Sequence, residues 1–473
     1  MAHINKHCIT PEGPPRLQTR ILPVSPTRMA RIIFHSPSNS FLDNWDLEVD
    51  KTSPDGVSLL EAASQLHNSD IPVAFPTETV YGLGADATRS SAVQGIYKAK
   101  QRPSDNPLIV HICSLAQLRS LLRPYHSTNG ASPSTQNSPN LVSTTDPIPA
   151  IYHPLIQHFW PGPLTILLPL PTPSPLAPEV TASLRTFGAR MPSTPLALAL
   201  IKLTDRPLAA PSANASTKPS PTTAQHVFHD LQGRIEIILD GGQCEVGVES
   251  TVVDGLCDPP VVLRPGGIGI EQLRQCPGWE NVVIAYKDSS QRGEQAPRAP
   301  GMKYKHYSPR ARVVLLEAGS AVPDWKLVKS YVGERQSVGF VKTRNWKAFD
   351  GTGHSDTGSN GPIIINGGSA GGLGFTIVNG TSLHGRGQAK STNEPRALQS
   401  KFDSAQDGRC DVWSISLGSE VADIARGLFS ALRELDQKDV DVIFVEGIDD
   451  NEGDAAAAVM NRLRKAAEVE LRS

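Results

Sequence analysis

A two-domain α/β fold is predicted by three observations on the sequence. Short apolar runs alternate with helix-like stretches, which is the pattern of α/β domains. The chain has 473 residues, a length that corresponds to two or three domains. The apolar pattern fades between Tyr286 and Pro300 and then begins again, which places the division between the domains there.

The first domain is expected over residues 51–285. Its predicted helix, residues 90–100, follows the first apolar run and precedes the second. Residues 128–149 are rich in Ser, Thr, Asn and Pro and cannot bury enough surface to order themselves, so we expect an inserted loop there. The predicted strands are 71–75, 108–112, 165–168, 235–239, 251–253 and 261–263.

The second domain is expected over residues 313–473, after a linker or lid at 286–312. Strands are predicted at 313–316, 338–341 and 442–445, and an Ala-rich helix from about Ala455. Apolar residues spaced three and four apart from Val421 to Leu435 predict an amphipathic helix. The Gly/Ser/Asn-rich stretch at 350–410 is expected to be a low-complexity insert.

The composition excludes several classes of protein. Lys and Arg number 45 and Asp and Glu 47, so no overall charge draws the chain to nucleic acid or a membrane. The cysteines form no C-x-x-C pair, which argues against a zinc site and a disulfide scaffold. No apolar run approaches the roughly 20 residues that cross a bilayer. We expect a cytoplasmic protein, with a mitochondrial pool as the alternative.

Residues 1–50 are expected to be a partly disordered N-terminal extension. Several basic residues and a single acidic one, Glu12, occur in the first 31 positions, as in a weak organelle-targeting signal. Prolines throughout this stretch oppose a long amphipathic helix, and they favour the extension over the signal.

The stretch Pro76-Thr77-Glu78-Thr79 follows a buried strand, at the position where α/β proteins place their ligand sites. Its hydroxyls and backbone groups suit a small polar ligand, and the glycines at 82 and 84 allow a close approach. An ordinary strand-to-loop turn is the alternative.

Lys100 and Arg102 are candidate ligands for phosphate. Pro103 turns the chain out of the helix, so the two cations can converge on phosphate oxygens. A solvated basic helix end is the alternative. For His111, on the next strand, the alternative is an ordinary core histidine.

Arg190 ends an otherwise apolar strand and needs an anionic partner. A substrate carboxylate or a structural salt bridge would each serve. Ser212 and Asn214 end another apolar run, where they either contact a ligand or form an Asx-type turn.

Other site classes lack their sequence patterns. There is no P-loop, no G-x-S-x-G elbow and no His/Cys cluster with metal spacing. The glycine-rich stretch 367–374 is superficially like a dinucleotide fingerprint but has no strand–helix context.

Taken together and in this order, the motifs resemble the long form of the threonylcarbamoyl-AMP synthase family. The resemblance implies a twisted mixed-sheet YrdC-like catalytic domain followed by a smaller Rossmann-like α/β domain. The two inserts depart from compact members of the family. The motifs are PTETVYGLG, KxRPxxNPLIVHI, WPGPLT, RMP, PSAN, ESTVVD and LRPGG in the first domain, PGMKYxHYSP in the linker and NRLRKAA near the carboxyl end.

The resemblance also implies roles for individual residues. Lys100 and Arg102 would be catalytic. Threonine would be held by Thr79, His111, Arg190, Ala210 and Ser250. ATP would be held by Arg102, Asn106, Thr186, Ser212, Asn214, Ser220, Arg264, Tyr304 and Tyr307.

The implied reaction joins L-threonine, bicarbonate and ATP into L-threonylcarbamoyl-adenylate with release of pyrophosphate, without a protein nucleophile. Mg²⁺ would enter with ATP, with no metal ligands from the protein and no tightly bound cofactor. The product would serve modification of the adenosine next to the anticodon in ANN-decoding tRNAs, through a downstream tRNA threonylcarbamoyltransferase complex. A weak contact with RNA is left open, and no membrane partner is expected.

Two other functions are less consistent with the sequence. An RNA-binding module would combine clustered cations with exposed aromatic residues, but this chain is near neutral and only 5% aromatic. A hydrogenase-maturation carbamoyltransferase domain would carry zinc-finger and acylphosphatase modules, which the sequence lacks.

Overall fold

A computed structural model describes residues 17–35, 41–42, 45–124, 146–286, 307–333, 335–346, 374–376, 397–404 and 408–472. The predicted ATP ligand Tyr304, most of the linker or lid and most of both inserts lie outside these residues. So does almost all of the glycine-rich stretch at 367–374.

The first domain is built on an 11-stranded mixed sheet in the order β1-β10-β4-β5-β9-β6-β8-β7-β11-β12-β13, with β2 and β3 as a separate antiparallel pair. The strands are β1 Arg20–Pro23, β2 Ala30–Phe34, β3 Trp45–Val49, β4 Val73–Phe75, β5 Gly82–Asp86, β6 Ile109–His111, β7 Leu164–Pro169, β8 Thr186–Arg190, β9 Leu208–Ala209, β10 Ile237–Asp240, β11 Thr251–Asp254, β12 Val261–Arg264 and β13 Val283–Ile284. The helices are α1 Pro26–Met29, α2 Pro54–Asn68, α3 Ser90–Lys100, α4 Leu115–Leu121, α5 His153–Phe159, α6 Pro178–Thr181, α7 Pro195–Thr204, α8 Ala224–Leu231 and α9 Ile270–Arg274, with a 3₁₀ turn at Ala150–Tyr152.

The apolar runs form the strands at the centre of this sheet. Every residue of β4 is buried, as the uninterrupted apolar sequence of that strand requires. The predicted helix at 90–100 is α3. Helix α7 was not predicted: its residues 196–201 are all buried, so it is apolar on every side and has no amphipathic pattern.

The structure corrects the expected N-terminal extension over residues 1–50. Strand β1 pairs in parallel with β10, with Arg20 opposite Ile237. Trp45 of β3 is buried and donates Nε1–H to the Cys113 carbonyl at 3.1 Å. The described part of the extension therefore belongs to the first domain. The prediction differed because the short apolar runs between prolines in this stretch resemble an unstructured tail.

The second domain has a 7-stranded sheet in the order β16-β17-β18-β15-β19-β14-β20. Strands β15, β18, β19, β14 and β20 run parallel, which is the Rossmann-like part, and β16 and β17 extend the sheet in antiparallel pairing. The elements are β14 Arg312–Leu316, α10 Trp325–Lys329, β15 Ser337–Lys342, β16 Gly374–Thr376, β17 Leu398–Ser404, β18 Gly408–Ser416, α11 Val421–Gln437, β19 Val442–Glu446, a 3₁₀ turn Asp450–Glu452, α12 Asp454–Ala466 and β20 Val469–Leu471.

The described part of the predicted low-complexity insert at 350–410 also differs from expectation, because β16, β17 and the start of β18 lie in it. Lys, Asp, Ser and Gln make up most of β17, so its sequence has no apolar pattern that would predict a strand.

The two domains share an apolar cluster. Val80 and Val248 of the first domain pack with Tyr307 and with buried residues of α11 and α12, among them Phe429. None of the helices in the described part of the chain has the length and hydropathy needed to cross a membrane.

Candidate active site

A pocket opens where several strand ends of the first domain meet the second domain. His111 ends β6 and Arg190 ends β8, and the strand register places these two residues opposite each other. Arg264 ends β12, and Ser250 immediately precedes β11. The pocket is lined by Thr77, Thr79, Val80, Gly82, Arg102, Ile109, His111, Arg190, Ala210, Pro211, Ser212, Glu249, Ser250, Arg264 and Tyr307.

Arg190 forms one end of the pocket, and its guanidinium group is almost fully buried. Nη2 lies 2.5 Å from Glu78 Oε1, Nη1 donates to Thr79 Oγ1 at 2.9 Å, and Nε donates to the Gly162 carbonyl at 3.2 Å. The second carboxylate oxygen of Glu78 accepts from the Ser193 amide at 3.2 Å. A structural salt bridge, one of the two alternatives for Arg190, is therefore present at the pocket wall.

The salt bridge does not use all the donors of Arg190. A guanidinium group has five N–H bonds, and the three contacts with described residues take one from each nitrogen. Two N–H bonds remain, so Arg190 can pair with Glu78 and still bind a ligand carboxylate. Thr79 Oγ1 also lies 2.9 Å from Thr77 Oγ1, which fixes its position.

His111 is a neutral side chain in this pocket. Burial, followed by the charge of Arg190, lowers its pKa to about 3. Its Nδ1 lies 3.3 Å from the Ile109 carbonyl, which assigns the proton to Nδ1 and leaves Nε2 as a hydrogen-bond acceptor.

Arg102 also lines the pocket, and among the described residues its hydrogen bonds go to backbone carbonyls. Nη2 donates to Pro107 O at 3.1 Å, and Nε and Nη2 both lie 3.4 Å from Asn106 O. Burial lowers the pKa of Arg102 to about 10, so the guanidinium group remains protonated at neutral pH. Its hydrogen-bond acceptors are uncharged, and Asp105, the carboxylate that interacts with it electrostatically, is exposed, so the guanidinium charge can attract an anionic ligand.

Lys100 points away from the pocket, although it is only two residues from Arg102. Its Nζ donates to the Ser212 carbonyl and to Asn214 O at 2.6 Å, with Asn214 Oδ1 at 3.3 Å. Burial lowers the pKa of Lys100 well below its ordinary value. These contacts fix the turn that presents Ser212, whose hydroxyl donates to Asn214 Oδ1 at 2.6 Å. Lys100 is thus placed to position the site rather than to contact reacting atoms.

Arg264 and Glu249 form the wall beside Arg102. Arg264 Nη2 lies 2.9 Å from Ser250 O and 3.0 Å from Ser250 Oγ. Burial alone would raise the pKa of Glu249, but Arg462 and Arg264 together lower it to about 2. The carboxylate accepts from Ser220 Oγ at 2.5 Å and from Arg462 Nε at 3.1 Å. Glu249 is therefore a permanent negative charge.

Tyr307 closes this wall from the linker. Its φ of 67° is a left-handed conformation that costs energy for a non-glycine residue, so surrounding contacts must impose it. The ring lies 5.2 Å from that of Phe429 and 5.9 Å from the Arg462 guanidinium carbon. Burial and the nearby Glu249 raise the pKa of Tyr307 to about 12, which keeps the hydroxyl protonated.

The structure brings most of the predicted site residues together, but not all of them. Those that line the pocket are Thr79, Arg102, His111, Arg190, Ala210, Ser212, Ser250, Arg264 and Tyr307. Those outside the lining are Lys100, Asn106, Thr186, Asn214 and Ser220. Ser220 and Asn214 support residues of the wall, whereas Thr186 pairs with Pro169 at the far end of β8.

Glu78 and Glu249 were missed as site residues, although both occur in the motifs that marked the site. Each immediately precedes a predicted ligand residue, Thr79 or Ser250. The sequence did contain a signal for these two residues. Each is a carboxylate next to a predicted ligand residue, and an arginine elsewhere in the chain still needed an anionic partner.

The residues of the pocket do not form a metal centre by themselves. No group of three or more His, Cys, Asp or Glu side chains among the described residues could hold a metal ion. Glu249, the carboxylate of the lining, already accepts from Ser220 and Arg462. The donor set fits Mg²⁺ only as an ion carried by substrate phosphates and water.

Two family models together match most of the chain. The Sua5/YciO/YrdC model, described as "Telomere recombination", matches residues 65–266. The model described as "Threonylcarbamoyl-AMP synthase, C-terminal domain" matches residues 268–468.

Curated relatives and a solved structure agree with these matches. The threonylcarbamoyl-AMP synthase of Schizosaccharomyces pombe is 42% identical over 466 residues, 96% of this chain and 98% of the relative. That of Bacillus subtilis is 38% identical, over 89% of this chain and 97% of the relative. The crystal structure of Pyrococcus abyssi Sua5 complexed with L-threonine superposes with a TM-score of 0.62 at 34% identity, covering 88% of this chain and 96% of that one. These matches confirm the predicted family, fold class and nucleotidyltransferase type of enzyme: the chain belongs to the threonylcarbamoyl-AMP synthase family, in its long two-domain form.

Proposed function

We propose that this chain joins L-threonine, bicarbonate and ATP into L-threonylcarbamoyl-adenylate in the pocket between Arg190 and Arg264, with release of pyrophosphate. The observation that carries the proposal is the division of charge along the pocket. At the Arg190 end one guanidinium group faces one carboxylate, Glu78. At the Arg264 end the lining has two guanidinium groups, Arg102 and Arg264, against one carboxylate, Glu249.

This division fits the two larger substrates. A balanced pair suits a zwitterion, because the ligand adds one charge of each sign. An excess of guanidinium groups suits a triphosphate, which brings several negative charges. The amino acid therefore lies at the Arg190 end and the nucleotide phosphates at the Arg264 end.

The threonine site uses neutral and charged contacts together. The two remaining N–H bonds of Arg190 bind the carboxylate. Thr79 Oγ1 lies beside Arg190, and Ser250 Oγ, which accepts from Arg264 at 3.0 Å, contacts the amino acid from the side of the nucleotide site. His111 Nε2 accepts from the substrate hydroxyl or amine. Ala210 leaves room for the threonine methyl group.

The nucleotide site uses Arg102, Arg264 and Ser212 for the phosphates, with Tyr307 beside them. Asn106, Asn214 and Ser220 act from behind the wall, and Lys100 fixes the Ser212 turn. For Thr186 the structure offers no contact that supports a role.

The chemistry requires positioning and charge stabilisation rather than a protein nucleophile. The threonine amine attacks bicarbonate, water leaves, and a carbamate forms. A carbamate oxygen then attacks the α-phosphate of ATP, the bond to the β-phosphate oxygen breaks, and pyrophosphate leaves. Arg102 and Arg264 neutralise charge that develops on the departing pyrophosphate. Mg²⁺ that enters with ATP would supply further charge neutralisation.

The product serves threonylcarbamoyl modification of the adenosine next to the anticodon in ANN-decoding tRNAs. A downstream tRNA threonylcarbamoyltransferase complex takes up this labile mixed anhydride, and a cytoplasmic location belongs to the same proposal. The near-neutral composition favours at most a weak RNA contact.

Pyrophosphate release tests the proposal most directly. The full chain is incubated with ATP and MgCl₂, and pyrophosphate is measured with threonine and bicarbonate together, with each alone and with serine in place of threonine. We expect release only when both co-substrates are present, and a lower rate with serine. Pyrophosphate release that does not depend on threonine or on bicarbonate would contradict the proposal.

A further inference from the structure

We propose that Arg462, a residue of the second domain, is a positioning residue for the pocket of the first domain: it holds the strand ends that carry Ser250 and Arg264, and it neutralises Glu249 so that an anionic ligand can bind beside them. The identity of that ligand as the triphosphate of ATP rests on the proposed function. The placement of Arg462 rests on the geometry alone.

Arg462 lies on α12 and reaches across the domain boundary. It is one of the largest fully buried side chains among the described residues, at 1% exposure. Nε donates to Glu249 Oε2 at 3.1 Å, Nη1 donates to Pro265 O at 2.5 Å, and Nη2 lies 3.5 Å from Glu249 O. One guanidinium group thus contacts residues on two neighbouring chain segments of the first domain.

Those two segments are the ends of the strand pair that carries the pocket wall. Glu249 and Ser250 precede β11, whereas Arg264 ends β12 and Pro265 follows it. The segments approach so closely that a Cβ on Gly266 would lie 2.2 Å from the Thr251 amide nitrogen. Arg462 therefore fixes the point at which Arg264 leaves its strand.

The charge of Arg462 has a second effect. Glu249 interacts electrostatically with both Arg462 and Arg264. Arg462 neutralises the carboxylate through the contact of its Nε with Oε2, and Arg264 donates to Ser250 O and Oγ. Without Arg462, the buried carboxylate of Glu249 would lose this cation, and the anion site would contain a less well compensated negative charge.

Arg464 offers a matched control on the same helix. Its side chain is 13% exposed and forms ion pairs with Glu317 at 3.1 Å and Asp450 at 2.8 Å. Both of these carboxylates belong to the second domain. Loss of Arg464 should therefore destabilise the protein without reaching the pocket.

The test compares Arg462→Met, Arg462→Lys and Arg464→Met in the full chain. Pyrophosphate release gives kcat and both Michaelis constants, and thermal unfolding reports folding. We expect Arg462→Met to raise the KM for ATP at least tenfold and that for threonine less than threefold. Arg462→Lys should recover part of the loss, and Arg464→Met should keep wild-type constants despite a lower Tm.

A double variant tests the charge argument and covers the case in which Arg462→Met does not fold. Glu249→Gln with Arg462→Met removes the carboxylate that Arg462 neutralises, so the KM for ATP should fall back toward that of Glu249→Gln alone. A double variant as impaired as Arg462→Met, or Arg462→Met kinetics equal to those of Arg464→Met, would overturn the inference.

Anion binding separates this inference from the proposed function. Calorimetric titration of the variants with inorganic triphosphate needs no turnover. Weaker binding in Arg462→Met than in Arg464→Met supports the positioning role even if the wild type releases no pyrophosphate with threonine and bicarbonate. Equal binding refutes the role whatever the wild-type activity is.

Discussion

The pocket has two buried guanidinium–carboxylate pairs, and they are built differently. Arg190 and Glu78 both belong to the first domain, and their side chains are 5% and 6% exposed. Arg462 and Glu249 come from different domains, and their side chains are 1% and 9% exposed. The Arg190 end is thus complete within one domain, whereas the Arg264 end depends on the docking of the second.

This difference assigns a role to the second domain. A carboxylate at a phosphate site opposes the ligand unless another cation neutralises it. Glu249 nevertheless orders the wall, because it accepts from Ser220 Oγ and contacts Tyr307. Arg462 neutralises Glu249, so this carboxylate can order the wall without repelling the ligand. Arg462 belongs to the second domain, so the first domain alone lacks this cation.

The largest expected effect is on stability, from Glu249→Ala. The substitution leaves Arg462 buried without its carboxylate, so the free energy of unfolding should fall by about 3–5 kcal/mol. Urea denaturation of the full chain measures it. Glu271→Ala is the control, because its ion pair with Arg274 is exposed and should contribute about 0–1 kcal/mol. A loss from Glu249→Ala no larger than the control's would mean that the pair between the domains is not formed.

Arg102→Ala should have the largest effect on catalysis. Among the described residues Arg102 donates to uncharged backbone carbonyls, so its loss should leave folding nearly unchanged and remove about 2–4 kcal/mol of transition-state stabilisation. The measurement is kcat/KM for pyrophosphate release. Lys98→Ala is the matched control, because Lys98 lies on the same helix and is exposed. Wild-type turnover in Arg102→Ala would remove the residue from the nucleotide site.

The sequence located the strand ends but not the pairings between them. Periodicity identified α3 and α11 and placed His111, Arg190 and Arg264 at the ends of strands. It could not show that Lys100 is bound by carbonyls 112 and 114 residues away, or that Glu249 meets a guanidinium group 213 residues later. Such contacts depend on packing in three dimensions, which a local pattern does not encode.

The same limit explains why only one of the two neighbouring cations, Arg102, lines the pocket, whereas Lys100 does not. Both were predicted to bind phosphate because Lys100 ends a helix, Arg102 follows it and Pro103 turns the chain there. Helix α3 points Lys100 into the core, and its C-cap, Gln101, has a left-handed conformation with φ of 54°. That single residue turns Arg102 toward the pocket.

A smaller effect concerns pH and the Arg190 end. The pKa of His111 is about 3 in the folded state, below its ordinary value of 6.5, so the unfolded chain binds more protons between these values. Stability is therefore lost as pH falls through this window, by about 2 kcal/mol from pH 7 to pH 5. Urea midpoints at the two pH values should show a smaller drop in His111→Gln than in the wild type.

A second histidine checks the sign of this effect. Burial, followed by the charge of Arg433, also lowers the pKa of His226 to about 3, and His226 lies outside the pocket. His226→Gln should reduce the pH dependence in the same direction. If neither variant changes the drop between pH 7 and pH 5, the two histidines are not buried in their neutral form.

The smallest effect is expected from Arg190→Lys, and it decides between the two interpretations of Arg190. Lysine keeps the charge beside Glu78 but loses the fork that can bind Glu78, Thr79 and a substrate carboxylate together. The KM for threonine should rise about tenfold, a loss of about 1.4 kcal/mol, and the KM for ATP should change little. Steady-state kinetics with each substrate varied in turn measures both constants.

Glu78→Gln separates the salt bridge from substrate binding at the same end. Glutamine keeps the shape and leaves Arg190 without its internal counter-charge, so a threonine carboxylate should bind at least as well while the Tm falls. Arg190→Lys should therefore raise the KM for threonine and Glu78→Gln should not, although both weaken the same ion pair. If both variants lower only the Tm and leave the KM for threonine unchanged, Arg190 is a structural residue, and the threonine carboxylate must be bound elsewhere in the pocket.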